Sequence, residues 1–319
     1  MAKKKYAIDY SEFITVNGDR QNIRVRSQSA DLPVLLFLHG GPGVCDRNWV
    51  MKYQSDLSEV CTMVCWDQRA SGKSCTKESL DSSITVEMMI EDACAVVDEL
   101  CRRFGKEKIY IVGHSWGSIL GVMLAKRIPE KIAYYIGMGQ FVEGAENERL
   151  SYEFCLNEAR RVGDDKVAAK LEKGAPVNGM YPDKDAMMLQ RDCLTKYGGA
   201  EYHCREGIVK SLLIPLIKSD EYSLPELVKY ARGALTLPDK LWGEVIANNF
   251  FETASKLDVP VLITQGRHDY NTPSEIMSRW IDMLDAPAKE IVWFEESAHS
   301  PIKAEPELWG RVIREKIFS

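Results

Sequence analysis

Apolar and polar residues alternate in two short segments, Glu12–Val16 and Ile23–Arg26, on either side of Asn17-Gly18. Alternation predicts strands with one wet face, and Asn-Gly suits the two positive-φ positions of a tight hairpin turn. The pattern then changes. Pro33–Leu38 and Cys61–Trp66 are almost unbroken apolar runs, as expected of strands covered on both faces. Ile90, Cys94, Val97, Cys101 and Phe104 are spaced by 4, 3, 4 and 3, which lines them along one helix face that Gly105 is placed to end. Lys108–Val112 predicts the next buried strand, Ile119–Arg127 a helix closed by Pro129, and Ile132–Ile136 another strand. Strand and helix in regular alternation imply an α/β protein, with a mostly parallel sheet flanked by helices.

The alternation stops near Gly139. From about Gly144 to Asn248 the chain reads as helical, with breaks at Gly174-Ala175-Pro176, Gly198-Gly199 and Leu224-Pro225. A strand at Val259–Thr264, a helix at Ser274–Leu284, a strand at Glu290–Phe294 and a helix at Pro306–Ile317 resume the pattern. The expected organisation is an α/β core over residues 1–140 and 251–319, interrupted by a helical cap over residues 141–250.

Composition narrows the function classes. A chain of 319 residues, 45% hydrophobic and 28% charged, builds a core without help from disulfides or a structural metal. The net charge of −6 disfavours a phosphate backbone, so no nucleic-acid partner is expected. The one basic run, Lys3-Lys4-Lys5, reads as a solvated terminus. The nine cysteines (45, 61, 65, 75, 94, 101, 155, 193 and 204) are odd in number and include no Cys-x-x-Cys pair. They read as reduced thiols filling core sites in a reducing compartment, hence a cytoplasmic protein. Met1–Asp9 leads into no apolar stretch, so no signal peptide is expected, and Leu212–Ile217, broken by Pro215, is too short to span a membrane. His268-Asp269 has no second ligand cluster at zinc spacing, so neither a metal nor another cofactor is expected. The oligomeric state stays open.

The chemistry centres on Gly113-His114-Ser115-Trp116-Gly117, between a strand and a helix. G-x-S-x-G in that setting makes a sharp turn that presents the serine at the carboxyl edge of the sheet. A serine hydroxyl needs a base, and the base needs an orienting acid. Of the five histidines, His114 flanks the serine, His39 opens a glycine loop, His203 lies in the helical stretch and His268 precedes an aspartate. His299 follows a late strand, in a loop that reaches the same edge, and Asp269 follows the strand before it. The order Ser115, Asp269, His299 is that of the α/β-hydrolase fold. His39-Gly40-Gly41-Pro42-Gly43 also follows a buried strand, and its glycines let backbone N–H groups approach a substrate oxygen. The N–H groups of Gly41 and Trp116 are the expected oxyanion donors. Trp242, Phe250 and Phe251 either wall an apolar pocket or pack the helical stretch on the core.

His-Gly-Gly-Pro-Gly at 39–43, Trp-Asp-Gln-Arg-Ala-Ser-Gly-Lys-Ser at 66–74 and Gly-His-Ser-Trp-Gly at 113–117 resemble the proline iminopeptidase branch of the α/β-hydrolase superfamily. Gly-Arg-His-Asp at 266–269 and Ser-Ala-His-Ser at 297–300 extend the likeness to the end of the chain. The resemblance implies a serine hydrolase, an aminopeptidase releasing N-terminal residues from small peptides, with a helical cap and no metal. The chain departs from the family pattern at Ala70 and Lys73, where glycine and arginine are usual, and at Ala298, where glycine is. Such aminopeptidases hold the free amine with carboxylates of the cap or near it. Glu143, Glu146 and Glu244 are the candidates here, and Tyr270 is a candidate for lining an acyl pocket. The competing readings are an esterase, amidase or lactonase of small hydrophobic acyl compounds, and a non-catalytic ligand sensor.

Overall fold

The computed structural model describes residues 5–203 and 213–319. Lys3, Lys4, Cys204 and Leu212 lie outside the described residues. The first two strands, β1 (Ile8–Val16) and β2 (Asp19–Ser27), form an antiparallel hairpin that pairs Val16 with Asp19. Between them Asn17 and Gly18 take φ of 45° and 79°, the conformation that Asn-Gly favours. Six more strands follow: β3 (Val34–Leu38), β4 (Thr62–Asp67), β5 (Ile109–His114), β6 (Ile132–Met138), β7 (Val261–Gly266) and β8 (Lys289–Phe294). They build one eight-stranded sheet in the order β1-β2-β4-β3-β5-β6-β7-β8. β2 runs antiparallel to β4, and every pairing from β4 to β8 is parallel.

The helices of the sheet region are α1 (Arg47–Tyr53), α2 (Lys77–Asp81), α3 (Val86–Phe104) and α4 (Trp116–Arg127). Between β6 and β7 lie α5 (Gly144–Arg161), α6 (Asp165–Lys173), α7 (Lys184–Lys196), α8 (Ile214–Ile217), α9 (Leu224–Ala247) and α10 (Phe250–Thr253). After β7 come α11 (Ser274–Met283), α12 (Pro301–Ala304) and α13 (Pro306–Ile317). Successive residues of a strand point to opposite faces, and the core divides accordingly. Leu36, Val64 and Ile111 pack with α3, α4 and α11 on one face, while Leu35, Met63 and Val112 pack with α1 and α13 on the other. The helical stretch has a small core of its own around Cys155, Leu171 and Leu194, but Leu237, Leu241 and Val245 of α9 join the larger core of the sheet.

Four strand ends and one helix start differ from the sequence pattern for physical reasons. β4, β5, β6 and β7 run past the apolar residues to Asp67, His114, Met138 and Gly266, because backbone pairing continues where polarity or a missing side chain hides it. Pro225, read as a break, instead lies in the first turn of α9, where its missing N–H has no partner to lose, and Ser223 and Glu226 form a capping box around that turn. The eight described cysteines are all free thiols, and Cys45, Cys61, Cys65, Cys75, Cys155 and Cys193 are buried. Among the described residues no helix is long and apolar enough to cross a membrane.

One buried polar cluster locks the hairpin to α3. Asp92 of α3 accepts hydrogen bonds from Arg69 Nε and Nη2 at 2.6 and 2.8 Å, from Gln21 Nε2 at 2.8 Å and from Asn17 Nδ2 at 3.0 Å. Its side chain is fully buried. Asp92→Ala strands the Arg69 charge and two amide donors, so urea denaturation is expected to show a loss of about 3–5 kcal/mol; a loss below about 1 kcal/mol would contradict this role.

Candidate active site

Ser115 stands between β5 and α4 with φ 54° and ψ −120°, a backbone region that non-glycine residues avoid. Packing on both sides enforces it. The Ser115 N–H donates to Met138 O at 3.0 Å, and its carbonyl accepts from Ser118 N at 2.8 Å. A Cβ on Gly113 would stand 2.7 Å from Gly117 O, and one on Gly117 only 2.0 Å from Leu38 O. The two outer glycines therefore let α4 press backbone to backbone on β5 and β3. That contact turns the serine outward, and Ser115 is part-exposed at the carboxyl edge.

His299 comes from the loop after β8, and Asp269 from the loop after β7. Their side chains meet, with His299 Nδ1 3.0 Å from Asp269 Oδ2. The carboxylate is buried and well supplied with donors. Oδ1 accepts from the N–H groups of Asn271 and Thr272, both at 2.9 Å, and Oδ2 from Gln265 Nε2 and Thr272 Oγ1, also at 2.9 Å. Each oxygen is thus held, and Oδ2 lies closer to the imidazole Nδ1 than does its other neighbour, Thr272 Oγ1 at 3.3 Å. The ring lies over Gly139, where a Cβ would fall 2.8 Å from it, and Met138, one residue earlier, is the partner of the Ser115 N–H. Among the described residues no hydrogen bond closes between Ser115 Oγ and the His299 ring. Such bonds commonly tighten only when substrate is bound.

The His39–Gly43 loop reaches the same place. Gly41 has φ 115°, and a Cβ there would meet Gly43 N at 2.5 Å, so the tight loop admits only glycine. Among the described residues no backbone carbonyl takes the N–H of Gly41 or Trp116, and both residues line a cavity with Ser115. Gln68 braces this side: its Oε1 accepts from Trp116 Nε1 at 2.9 Å and its Nε2 donates to His39 O at 3.1 Å. His39 is buried, and burial pushes its imidazole below the ordinary value, consistent with a neutral ring that accepts from Gln68 N on Nε2.

A relative from Bacillus subtilis (strain 168), named "Probable aminopeptidase YbaC", is 30% identical over 317 residues, covering 98% of each chain. A family profile described as "alpha/beta hydrolase fold" matches residues 33–169. The chain belongs to the α/β-hydrolase family. A proline iminopeptidase of Saccharolobus solfataricus is 24% identical, covering 98% of this chain and 94% of its own. Among solved structures, the proline iminopeptidase of Mycobacterium smegmatis shares the fold with a TM-score of 0.63 at 18% identity, covering 96% and 97% of the two chains.

The cavity of this hydrolase measures about 260 Å³ and lies between the sheet edge and the helical stretch. Its walls include Pro42, Val44, Trp116, Phe141, Met187, Trp242 and Val245, and its charged lining residues are Glu148 of α5 and Arg191 of α7. Arg191 Nη2 reaches both Glu148 oxygens at 2.8 Å, and the guanidinium lies 5.5 Å from the Trp242 ring centroid. Burial pulls the guanidinium down and Glu148 pulls it up, with a net rise above the ordinary value.

The carboxylates singled out from sequence lie elsewhere. Glu143 caps α5, accepting from Ala145 N and Glu146 N, and Glu146 is paired with Arg279 at 2.8 Å. Glu244 accepts from Val86 N at 3.1 Å, and Tyr270 stacks on Phe154 with ring centroids 4.0 Å apart. None of the four lines the cavity that holds Ser115. Their sequence positions mark helix ends and surface pairs, which need acids as much as a binding site does. Of the aromatic candidates, Trp242 walls the cavity, while Phe250 packs on Trp280 and Phe251 lies under Arg279. His114, which flanks the serine, lies beside the pair: its ring centroid is 5.0 Å from that of His299, and its Nε2 lies 3.3 Å from both His299 O and Ser300 Oγ. His203 pairs with Glu296 and His268 stacks on Tyr202. Among the described residues no group of three or more His, Cys, Asp or Glu could hold a metal ion.

The departures at Ala70, Lys73 and Ala298 are accommodated locally. Ala70 takes φ 57°, which costs an alanine about 1–2 kcal/mol, while its methyl is fully buried. Lys73 pairs with Glu226 at 3.3 Å, and Ala298 is buried. The elbow itself tolerates no such exchange. Gly117→Ala is expected to destabilise the protein by about 3 kcal/mol or more in thermal or urea unfolding; a variant as stable as the parent would contradict the backbone contact.

Proposed function

We propose that this α/β hydrolase is a serine hydrolase working through an acyl-enzyme on Ser115, and that it acts as an aminopeptidase on small substrates with a free amine. The observation that carries the reading is the Asp269–His299 pair behind the strained Ser115 turn. Ser115 Oγ attacks the substrate carbonyl carbon while His299 Nε2 takes the hydroxyl proton. The N–H groups of Gly41 and Trp116 receive the oxyanion. Collapse of the tetrahedral species breaks the carbon–nitrogen bond, and His299 returns the proton to the leaving amine. Water then adds to the ester carbon and gives a proton to His299. Release of the acid returns that proton to Ser115 Oγ. Asp269 keeps the imidazole in the tautomer with the proton on Nδ1 and offsets its positive charge in both halves. The helices between β6 and β7 act as the cap that closes the cavity from above.

The aminopeptidase part is supported by the names of the relatives and by Glu148, a carboxylate lining the cavity that could receive an ammonium. The apolar walls also suit the acyl group of a neutral ester, so the substrate class is decided by assay. Dipeptides, prolyl and alanyl arylamides, and short p-nitrophenyl esters are compared with one purified enzyme. Cleavage of at least one amine-bearing class is expected. Turnover of esters with neither peptides nor arylamides cleaved would overturn the aminopeptidase reading. Ser115→Ala and Asp269→Asn are each expected to lower kcat by about a thousand-fold or more on whichever class is turned over; unchanged kcat in Ser115→Ala would overturn the acyl-enzyme.

A further inference from the structure

The cavity beside Ser115 has two charges in its lining, and they already neutralise each other. Arg191 spans both oxygens of Glu148 with one nitrogen, while Nη1 contacts the Gln190 side chain. The Glu148 side chain is 1% exposed and that of Arg191 20%. A lone ammonium arriving at Glu148 competes with Arg191 for the same oxygens. It also adds an unmatched positive charge to a small cavity walled by Pro42, Phe141, Met187 and Trp242. Desolvated charge without a partner is costly.

A ligand with two opposite charges a few ångströms apart escapes this cost. Its ammonium takes Glu148, its carboxylate takes Arg191, and two ion pairs replace one. Arg191 suits the second task, since a guanidinium offers five donors in a planar fork that matches a carboxylate. An unblocked dipeptide carries these two charges on either side of its one peptide bond. The size agrees: about 260 Å³ is at the small end for ligand sites, too little for a long peptide to be enclosed.

We infer that the Glu148–Arg191 pair selects zwitterionic substrates, unblocked dipeptides, over otherwise identical substrates that carry only the amine. The inference rests on the aminopeptidase reading and narrows its substrate class. Arg191 is then a specificity-determining residue that recognises the substrate's carboxylate.

The test compares alanyl-alanine with alanyl-alanine amide, which share the scissile bond and the amine and differ only in the terminal carboxylate. With the unaltered enzyme, kcat/KM is expected to favour the free acid by about ten-fold or more, a modest value for one desolvated charge pair. Arg191→Met removes the carboxylate's partner and leaves Glu148 unpaired, so the preference should vanish or reverse; Arg191→Lys should restore part of it. The comparison with the unaltered enzyme stands even where Arg191→Met fails to fold. Equal cleavage of acid and amide, or faster cleavage of the amide, overturns this inference and leaves the aminopeptidase reading intact. Cleavage of esters with neither dipeptide form nor any arylamide cleaved overturns both, whereas cleavage of arylamides but of neither dipeptide form overturns this inference alone.

Discussion

The backbone of α4 touches the backbone of β3 with nothing between them. That contact, at Gly117 and Leu38, fixes where the first turn of α4 begins and so forces Ser115 into its strained turn. Every other part of the site is placed relative to it. Met138 holds the Ser115 N–H, Gly139 after it gives room for the His299 ring, and Gln68 ties Trp116 to the glycine loop. The strain on one serine, of order 1–3 kcal/mol, is small beside the buried contacts that impose it.

The helical stretch joins this frame through backbone as well as side chains. Gly199 O accepts from Tyr270 N at 2.9 Å and Ala200 O from His299 N at 3.1 Å. The loops bearing Asp269 and His299 are therefore each tied to one turn of the helical stretch. Glu148 and Arg191, which give the cavity its charge, belong to helices of the same stretch. Movement of that turn would reach the imidazole and the binding wall together, which couples the two halves of the site.

Legibility from sequence followed the kind of constraint. The strands, the hairpin and the glycine pentapeptide were readable because burial and backbone sterics restrict residue type strongly. Ser115, Asp269 and His299 could be put in order because loops at one edge of a parallel sheet converge whatever their composition. Glu148 was missed because α5 also carries Glu146, Glu153 and Glu158, and no periodicity separates an acid facing a cavity from one facing water. Arg191 was missed for the same reason: its partner is 43 residues away, and only packing brings them together. Asp67-Gln68-Arg69 carried the resemblance, and its roles became visible only in the structure. Each of the three has a structural partner: Asp67 accepts from Tyr222 Oη at 3.0 Å, Gln68 braces Trp116, and Arg69 grips Asp92.

The role of Ser115 and His299 is tested most directly by the site and rate of covalent labelling by a fluorophosphonate, read by mass spectrometry of the digested protein. A single adduct is expected, on Ser115, formed far more slowly in His299→Ala than in the unaltered enzyme. An adduct on another residue, or equal labelling rates in the two proteins, would contradict it.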